Sequence, residues 1–408
     1  MAGPVGIYIS VPFCKAKCTF CNFSSGVFGG ERMRQYVDRL SNEIRLSRAA
    51  AEGVRASLPR AVDTIYFGGG TPSLLSGGQF RQIFQSIRGE FDIAADAEIT
   101  LECAPGQLAD ETLDELLRQG INRISFGVQS FVDEETMAVG RLHTRVQCEA
   151  EFARVRAAGV REINIDLIAG LPHQTAQSWE FSVEQALATG TPHISVYLLE
   201  VDDESRLGRE ILERGSRYSA AAVPGEDETA EWYQWACTTL HAAGVYQYEI
   251  SNFARTDHQS RHNLKYWQRQ PYLGFGLDAH SMLIAGDEAV RFANTSDLDD
   301  YLGSGAAVSA FSLLETEPHS SATAVDVIGH REAFEEALFL GLRLNEGVDL
   351  SRLRGQFGGD LLHHAMPALL EVRDAGLLEL NSARIRLTPR GRLVSNEVFS
   401  RLLLTAAA

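Results

Sequence analysis

Ile7-Tyr8-Ile9-Ser10-Val11-Pro12-Phe13-Cys14-Lys15-Ala16-Lys17-Cys18-Thr19-Phe20-Cys21-Asn22-Phe23 is a β-rich apolar run that ends in three closely spaced thiols. The spacing is Cys14-x3-Cys18-x2-Cys21, directly after the expected strand. Thiolates are soft ligands suited to iron–sulfur clusters or zinc. Structural zinc takes four closed ligands, commonly as two separated pairs. Here the first histidine is His143, and no fourth cysteine lies near the triad. A [4Fe–4S] cluster held by three cysteines leaves one iron without a protein ligand, which is a catalytic feature. Zinc with a distant fourth ligand and three unligated buried thiols are the competing readings. The remaining cysteines, Cys103, Cys148 and Cys237, are isolated and read as core residues. A secreted disulfide framework would be denser and spread through a smaller domain.

Downstream of this loop, strand and helix signals alternate. Strands are expected over 62–67, 97–103, 123–128, 162–168 and 193–199, with helices over 31–50, 78–89, 109–119, 147–158 and 176–189. Strand–helix alternation implies parallel pairing with right-handed crossovers. The mostly apolar strands 124–128 and 163–168 suit a sheet covered on both faces. A barrel or partial barrel is favoured over an open doubly wound sheet, because no G-x-G-x-x-G opens the first helix. In either architecture, chemistry belongs at the C-terminal strand ends. Residues 200–310 are less regular, with a helix near 226–243, an aromatic strand over 246–253 and a Gly-rich turn at 273–276. Residues 303–324 read as a linker, and helices at 331–344, 350–357 and 361–375 precede a hairpin at 377–387. That order is winged-helix-like, and its hairpin is expected to pack on the barrel and help cover the cleft. The domain division is 1–310 and 311–408.

The chain has 408 residues and a formal net charge of −17. That balance argues against coating a nucleic acid backbone. No stretch reaches about 18 uninterrupted apolar residues, so no membrane span is expected, peripheral contact being left open. The N-terminus lacks a basic segment followed by an apolar one, so a cytoplasmic location is expected.

The stretch from Tyr8 through Cys14, Cys18 and Cys21 to Phe23 resembles the radical S-adenosylmethionine (SAM) enzymes, within them the oxygen-independent coproporphyrinogen III oxidase branch that includes HemN enzymes and HemW heme chaperones. The resemblance implies an α/β fold, a partial (β/α)6 TIM-like barrel. It implies a [4Fe–4S] cluster on Cys14, Cys18 and Cys21 whose open iron is chelated by the amino and carboxylate groups of SAM. An electron from the cluster then cleaves SAM to methionine and a 5′-deoxyadenosyl radical. Gly68-Gly69-Gly70-Thr71-Pro72 resembles the family's GGTP loop, in which Gly69, Gly70 and Thr71 approach the methionine moiety. Tyr8 and Phe20 match positions lining the cofactor, and Glu102, Gln129, Arg141 and Asp166 match its polar SAM-binding residues.

Decarboxylating HemN enzymes carry a further cysteine two positions after the third ligand and an N-terminal extension. Here Phe23 holds that place and the first ligand is already residue 14, so decarboxylation is not expected. The HemW branch carries H-N-x-x-Y-W, matched by His262-Asn263-Leu264-Lys265-Tyr266-Trp267. The resemblance therefore implies heme as a further ligand, with contacts from His262, Tyr266 and Trp267; His280, after the Gly-rich turn, is the weaker alternative ligand by position. The expected function is a heme chaperone with heme-accepting client proteins and an electron donor such as flavodoxin or ferredoxin. Anaerobic coproporphyrinogen III decarboxylation and a radical SAM transferase are the alternatives.

Overall fold

A computed structural model describes residues 3–286, 288–303 and 325–403. Its first half alternates β1 (Val5–Val11), α1 (Gly30–Gly53), β2 (Ala61–Gly69), α2 (Gly77–Glu90), β3 (Asp92–Cys103) and α3 (Asp110–Gln119). Then come β4 (Arg123–Gln129), α4 (Asp133–Ala138), α5 (Arg145–Ala157), β5 (Glu162–Ala169), α6 (Ala176–Ala188) and β6 (His193–Leu198). Local chemistry sets the helix ends. Ser76 with Gln79 and Thr144 with Gln147 form capping boxes at α2 and α5, and Gly120 closes α3 in the left-handed region at φ 97°.

The six strands pair in sequence order and in parallel. Outward-facing Ile7, Ile9, Ile65, Phe67, Leu101, Ile124, Phe126, Ile163, Ile165, Ile194 and Val196 are fully buried in one core with helix residues such as Leu40, Phe84, Leu116 and Val183. The alternate positions face inward and are polar: Tyr8 and Ser10, Thr64 and Tyr66, Thr100 and Glu102, Ser125, Asn164 and Asp166, His193 and Ser195. The two faces of the sheet therefore differ in chemistry. The helices cover an apolar outer face, while the inner face is a polar cavity lining where an ordinary barrel packs branched aliphatics.

The sheet does not close between β6 and β1. After α7 (Arg206–Leu212) and α8 (Glu226–Ala242), β7 (Tyr246–Gln247) and β8 (Asn252–Ala254) extend it antiparallel beside β6. The single aromatic strand expected there is therefore two short ones, with Asn252 N donating to Glu249 O in the turn. Next, α9 (Arg261–Trp267) leads to β9 (Tyr272–Phe275), which pairs parallel with the other side of β1. Then β10 (His280–Ala285), β11 (Glu288–Ala293), α10 (Leu298–Gly303) and β12 (Asp326–Ile328) complete a twelve-stranded sheet among the described residues. The linker expected over 303–324, and with it the boundary at 310, lies almost wholly outside the described residues.

The C-terminal segment runs α11 (His330–Leu342), β13 (Val348–Asp349), α12 (Leu350–Phe357), α13 (Gly359–Asp374), β14 (Leu378–Leu380), β15 (Arg384–Leu387), α14 (Pro389–Leu393) and α15 (Ser395–Leu402). The expected order of three helices and a hairpin is present, with β13 added to the hairpin's edge. This segment has its own core, which includes Met282 and Ala289 from β10 and β11. Among the described residues no helix is long and apolar enough to cross a membrane.

Candidate active site

The C-terminal ends of the strands open onto a cavity of about 470 Å³, within the usual range for small-molecule sites. Cys14, Cys18, Phe20, Cys21, Gly69, Gly70, Thr71, Glu102, Gln129, Arg141 and Asp166 all line it. Residues from five separate strand ends, and from the segment after β4, are thus brought to one place. Tyr8 lies one layer deeper and lines an adjoining cavity.

The cysteine loop is built against the turn after β2. Gly70 N donates to Val11 O at 2.8 Å, Thr71 N to Phe13 O at 2.7 Å, and the Thr71 hydroxyl to Cys14 Sγ at 3.8 Å. Gly69 sits at φ 104°, where a side chain is disfavoured. A Cβ on Gly70 would fall 2.8 Å from Phe13 O. The loop's far side is clasped by Asn22 Nδ2 donating to Asp202 Oδ2 at 2.9 Å, by Lys17 Nζ donating to Phe23 O at 2.9 Å, and by Arg206 donating to Lys17 O.

On the floor, the Tyr66 hydroxyl donates to Glu102 Oε1 at 2.9 Å and Gly69 N to Oε2 at 3.2 Å. Burial pushes the Glu102 carboxyl up to about 7, the Asp166 charge adding to the shift and Arg141 opposing it. Asp166 accepts from Ser125 at 3.1 Å and from Asn164 Nδ2 at 2.7 Å; burial raises its pKa as well. Arg141 donates to Gly127 O at 2.7 Å, and a Cβ at Gly127 would collide with the guanidinium. Gln129 sits at a β-bulge with φ 71°, a strained conformation that re-aims a side chain at a strand end.

Gln129 Oε1 and Arg141 Nε are buried without a hydrogen-bond partner among the described residues. With three thiols on the same cavity, the donor set fits a [4Fe–4S] cluster on Cys14, Cys18 and Cys21 with a polar, charged ligand such as SAM beside it. Among the described residues no three His, Cys, Asp or Glu side chains converge on a single ion. Cys103 lines the cavity, but burial raises its thiol to about 12 and its Sγ faces Ala104 O; Cys148 lies in the core and Cys237 packs against it. Sequence reasoning did not find Tyr66, Ser125, Gly127, Asn164, Asn22 or Asp202. For Ser125 and Gly127, and for Asn164 beside Asp166, the available signal was a polar period of two inside apolar strands.

The residues expected to contact heme do not share this cavity. Glu98 accepts from Arg261 N, His262 N and Ser260 Oγ, and Lys265 Nζ pairs with Asp63 at 2.8 Å and donates to Pro4 O. These partners lie towards the N-terminal ends of the strands, so α9 plugs the barrel's opposite end. His262 is buried there, with Nδ1 2.9 Å from the Thr64 hydroxyl and Nε2 2.9 Å from the Tyr266 hydroxyl. Its ring stacks on Tyr66 at 5.2 Å, and burial lowers its pKa to about 3. His262, expected to contact heme, thus has a hydroxyl partner at each ring nitrogen in this structure. Tyr266 borders the adjoining cavity, whereas Trp267 packs under the Arg343 guanidinium, 4.3 Å from its ring centre. The C-terminal hairpin lines neither cavity, so it does not cover the cleft as expected.

Residues 8–186 match the Radical SAM superfamily and residues 328–394 the HemN C-terminal domain. The chain is similar to the heme chaperone HemW of Bacillus subtilis, 32% identical over 397 residues, covering 97% of this chain and 98% of that protein. It is 35% identical over 285 residues to HemW of Escherichia coli, covering 70% and 71% of the two chains. HemW of Mycobacterium tuberculosis H37Rv is 30% identical over 403 residues, with 98% and 95% covered. Among solved structures, coproporphyrinogen III oxidase (HemN) of Escherichia coli superposes with a TM-score of 0.79 at 24% identity, covering 98% and 90%; this is a likeness of fold. By descent and by its cysteine loop, the chain belongs to the HemW heme-chaperone family of the radical SAM superfamily.

Proposed function

We propose that the protein is a heme chaperone that binds heme and passes it to client proteins, with a [4Fe–4S] cluster and SAM held in the strand-end cavity. The observation that carries this reading is similarity to HemW proteins along almost the whole chain, joined to a cysteine triad facing buried, unpartnered polar atoms. When bound, the cluster supplies a one-electron donor and an iron with an open coordination site. The chain's own residues do the positioning. Cys14, Cys18 and Cys21 ligate, the turn after β2 fixes the loop, and Glu102 and Asp166 are oriented by Tyr66, Gly69, Ser125 and Asn164. Arg141 and Gln129 offer a cation and an amide to a carboxylate or ribose. Phe23, 59% exposed, borders both cavities where HemN enzymes carry a further cysteine. A reducing cytoplasm, which keeps the thiols free for iron, is the compartment this chemistry suits, and reduction calls for a donor such as flavodoxin or ferredoxin.

The test is anaerobic reconstitution of the full chain, followed by hemin loading and transfer to an apo-heme protein. Heme transfer that depends on this protein is the expected result. Conversion of coproporphyrinogen III to a decarboxylated porphyrinogen with SAM and reductant would overturn the chaperone reading.

A further inference from the structure

Asp166 borders the strand-end cavity, and both of its carboxylate oxygens depend on one buried amide. Asn164 Nδ2 donates to Asp166 Oδ1 at 2.7 Å and to Ser125 Oγ at 2.7 Å, and the Ser125 hydroxyl donates to Asp166 Oδ2 at 3.1 Å. With its nitrogen turned to the carboxylate, the amide presents Oδ1 on the other side, where it can only accept. His193 Nδ1 lies 2.5 Å from that oxygen. Ser195 Oγ is also within reach, at 3.3 Å, but its single hydrogen has Asn252 Oδ1 at 2.7 Å.

His193 is the first residue of β6 and is buried. Burial, reinforced by Arg123 and His258, pushes its pKa well below the ordinary value, so the ring is neutral and carries one N–H. The acceptor Asn164 Oδ1 places that hydrogen on Nδ1. Nε2 is then free to accept from the Tyr248 hydroxyl at 2.9 Å, whose oxygen accepts from Ser260 N at 3.3 Å. Ser260, Tyr248, His193 and Asn164 thus each donate in the direction of Asp166, in a buried row that runs from the residue before α9 to the cleft.

We propose that His193 is a positioning residue for SAM binding, its Nδ1–H holding the Asn164 amide in the orientation that presents N–H donors to Asp166. This rests on the SAM reading of the cleft above and extends it to a residue that does not line the cavity. Without that donor the amide is free to turn over and set Oδ1 against the carboxylate. Both oxygens of Asp166 then lose the donors that orient them towards the ligand.

Calorimetric titration of SAM into the anaerobically reconstituted full chain tests the assignment. His193→Phe has a ring but no donor, and is expected to weaken SAM about tenfold with iron and sulfide content unchanged. His193→Asn keeps an N–H donor near the Nδ1 position and is expected to stay within about twofold of wild type. In an Asn164→Ala background, His193→Phe is expected to cost no further SAM affinity while still lowering the denaturant midpoint, because the path through Asn164 is already cut. In the wild type itself, imidazole nitrogen resonances are expected to show His193 as the Nδ1–H tautomer. Unchanged SAM affinity in His193→Phe, a loss in His193→Asn equal to that in His193→Phe, an additive loss in the Asn164→Ala background, or the Nε2–H tautomer overturns the assignment and leaves the SAM reading intact. Failure of the wild type to bind SAM overturns that reading, and the assignment with it.

Discussion

At the scale of single residues, Glu102 shows how the cleft holds chemistry at a cost to stability. Its carboxyl titrates near 4.5 when unfolded and near 7 in the folded protein without ligand, chiefly because burial disfavours the charge. A raised acid pKa contributes stability that is fully present below about 4.5 and is lost as the pH climbs through about 7. Glu102→Gln should therefore make the ligand-free protein more stable at pH 8 by up to ~3 kcal/mol and flatten its stability between pH 5 and 8. The same change should weaken SAM about tenfold, since a neutral amide no longer faces the cationic ligand. Thermal unfolding at several pH values and calorimetric SAM titration check both halves; an unaltered pH slope would refute the burial account. Gly70 is limiting for another reason. An added Cβ meets Phe13 O and Val11 O at 2.8 and 2.9 Å, and the carbonyls belong to the strand that launches the cysteine loop. Gly70→Ala should reduce iron and sulfide incorporation while leaving the far-ultraviolet circular dichroism spectrum unchanged. Gly29→Ala, with open space around it, should leave both unchanged.

At the scale of elements, what could be read in advance was whatever sequence neighbours decide. The cysteine spacing, the Gly-rich turn after β2 and the alternation of six strands with five helices depend on adjacent residues, and each is found near its expected place. The polar barrel lining was obscured because Ser125, Asn164 and His193 interleave with Ile124, Ile163 and Ile194, and only strand register shows them as one row. The segment 261–267 was legible as a motif but not as a plug, because its partners Glu98, Asp63 and Pro4 are remote in sequence. Glu98 is the pivot of that plug. Its carboxylate takes Arg123 Nε at 3.0 Å, with both side chains buried, in addition to the backbone N–H groups of Arg261 and His262. Glu98→Ala removes the partner of Arg123 Nε and leaves two helix-start donors unpaired, while Arg123 keeps Glu162 at 3.4 Å and the His258 carbonyl at 3.0 Å; the expected loss is about 3 kcal/mol. Glu98→Gln keeps an acceptor for the backbone groups and should lose less. Denaturant midpoints for the two variants separate these effects, and equal losses would mean that the charge alone matters.

At the scale of the whole molecule, the strand-end cavity and the C-terminal segment are joined through the sheet extension. The segment contributes no residue to either cavity; it rests on β10, β11 and α9 by way of α11. That position was hidden from sequence because it depends on charges scattered along the chain. Glu336 receives Arg269 Nε at 2.8 Å and Arg291 at 2.8 Å, the first pair being about nine-tenths buried on both sides. Trp267 under Arg343 and Asn345 N donating to Tyr248 O fasten the neighbouring edge. A carboxylate shared by two guanidiniums, one of them removed from water, is stable as a set and expensive to break singly. Glu336→Ala should thus lower stability by about 3 kcal/mol and separate the unfolding of residues 325–403 from that of the barrel. SAM affinity and iron content should stay at wild-type values, because the residues proposed to hold both lie before residue 203. Calorimetric unfolding of the full chain, read with SAM titration on the same sample, decides the matter. A single undisturbed transition would refute the role of Glu336 at the interface. A parallel loss of SAM binding would mean that the segment reaches the cleft through the sheet.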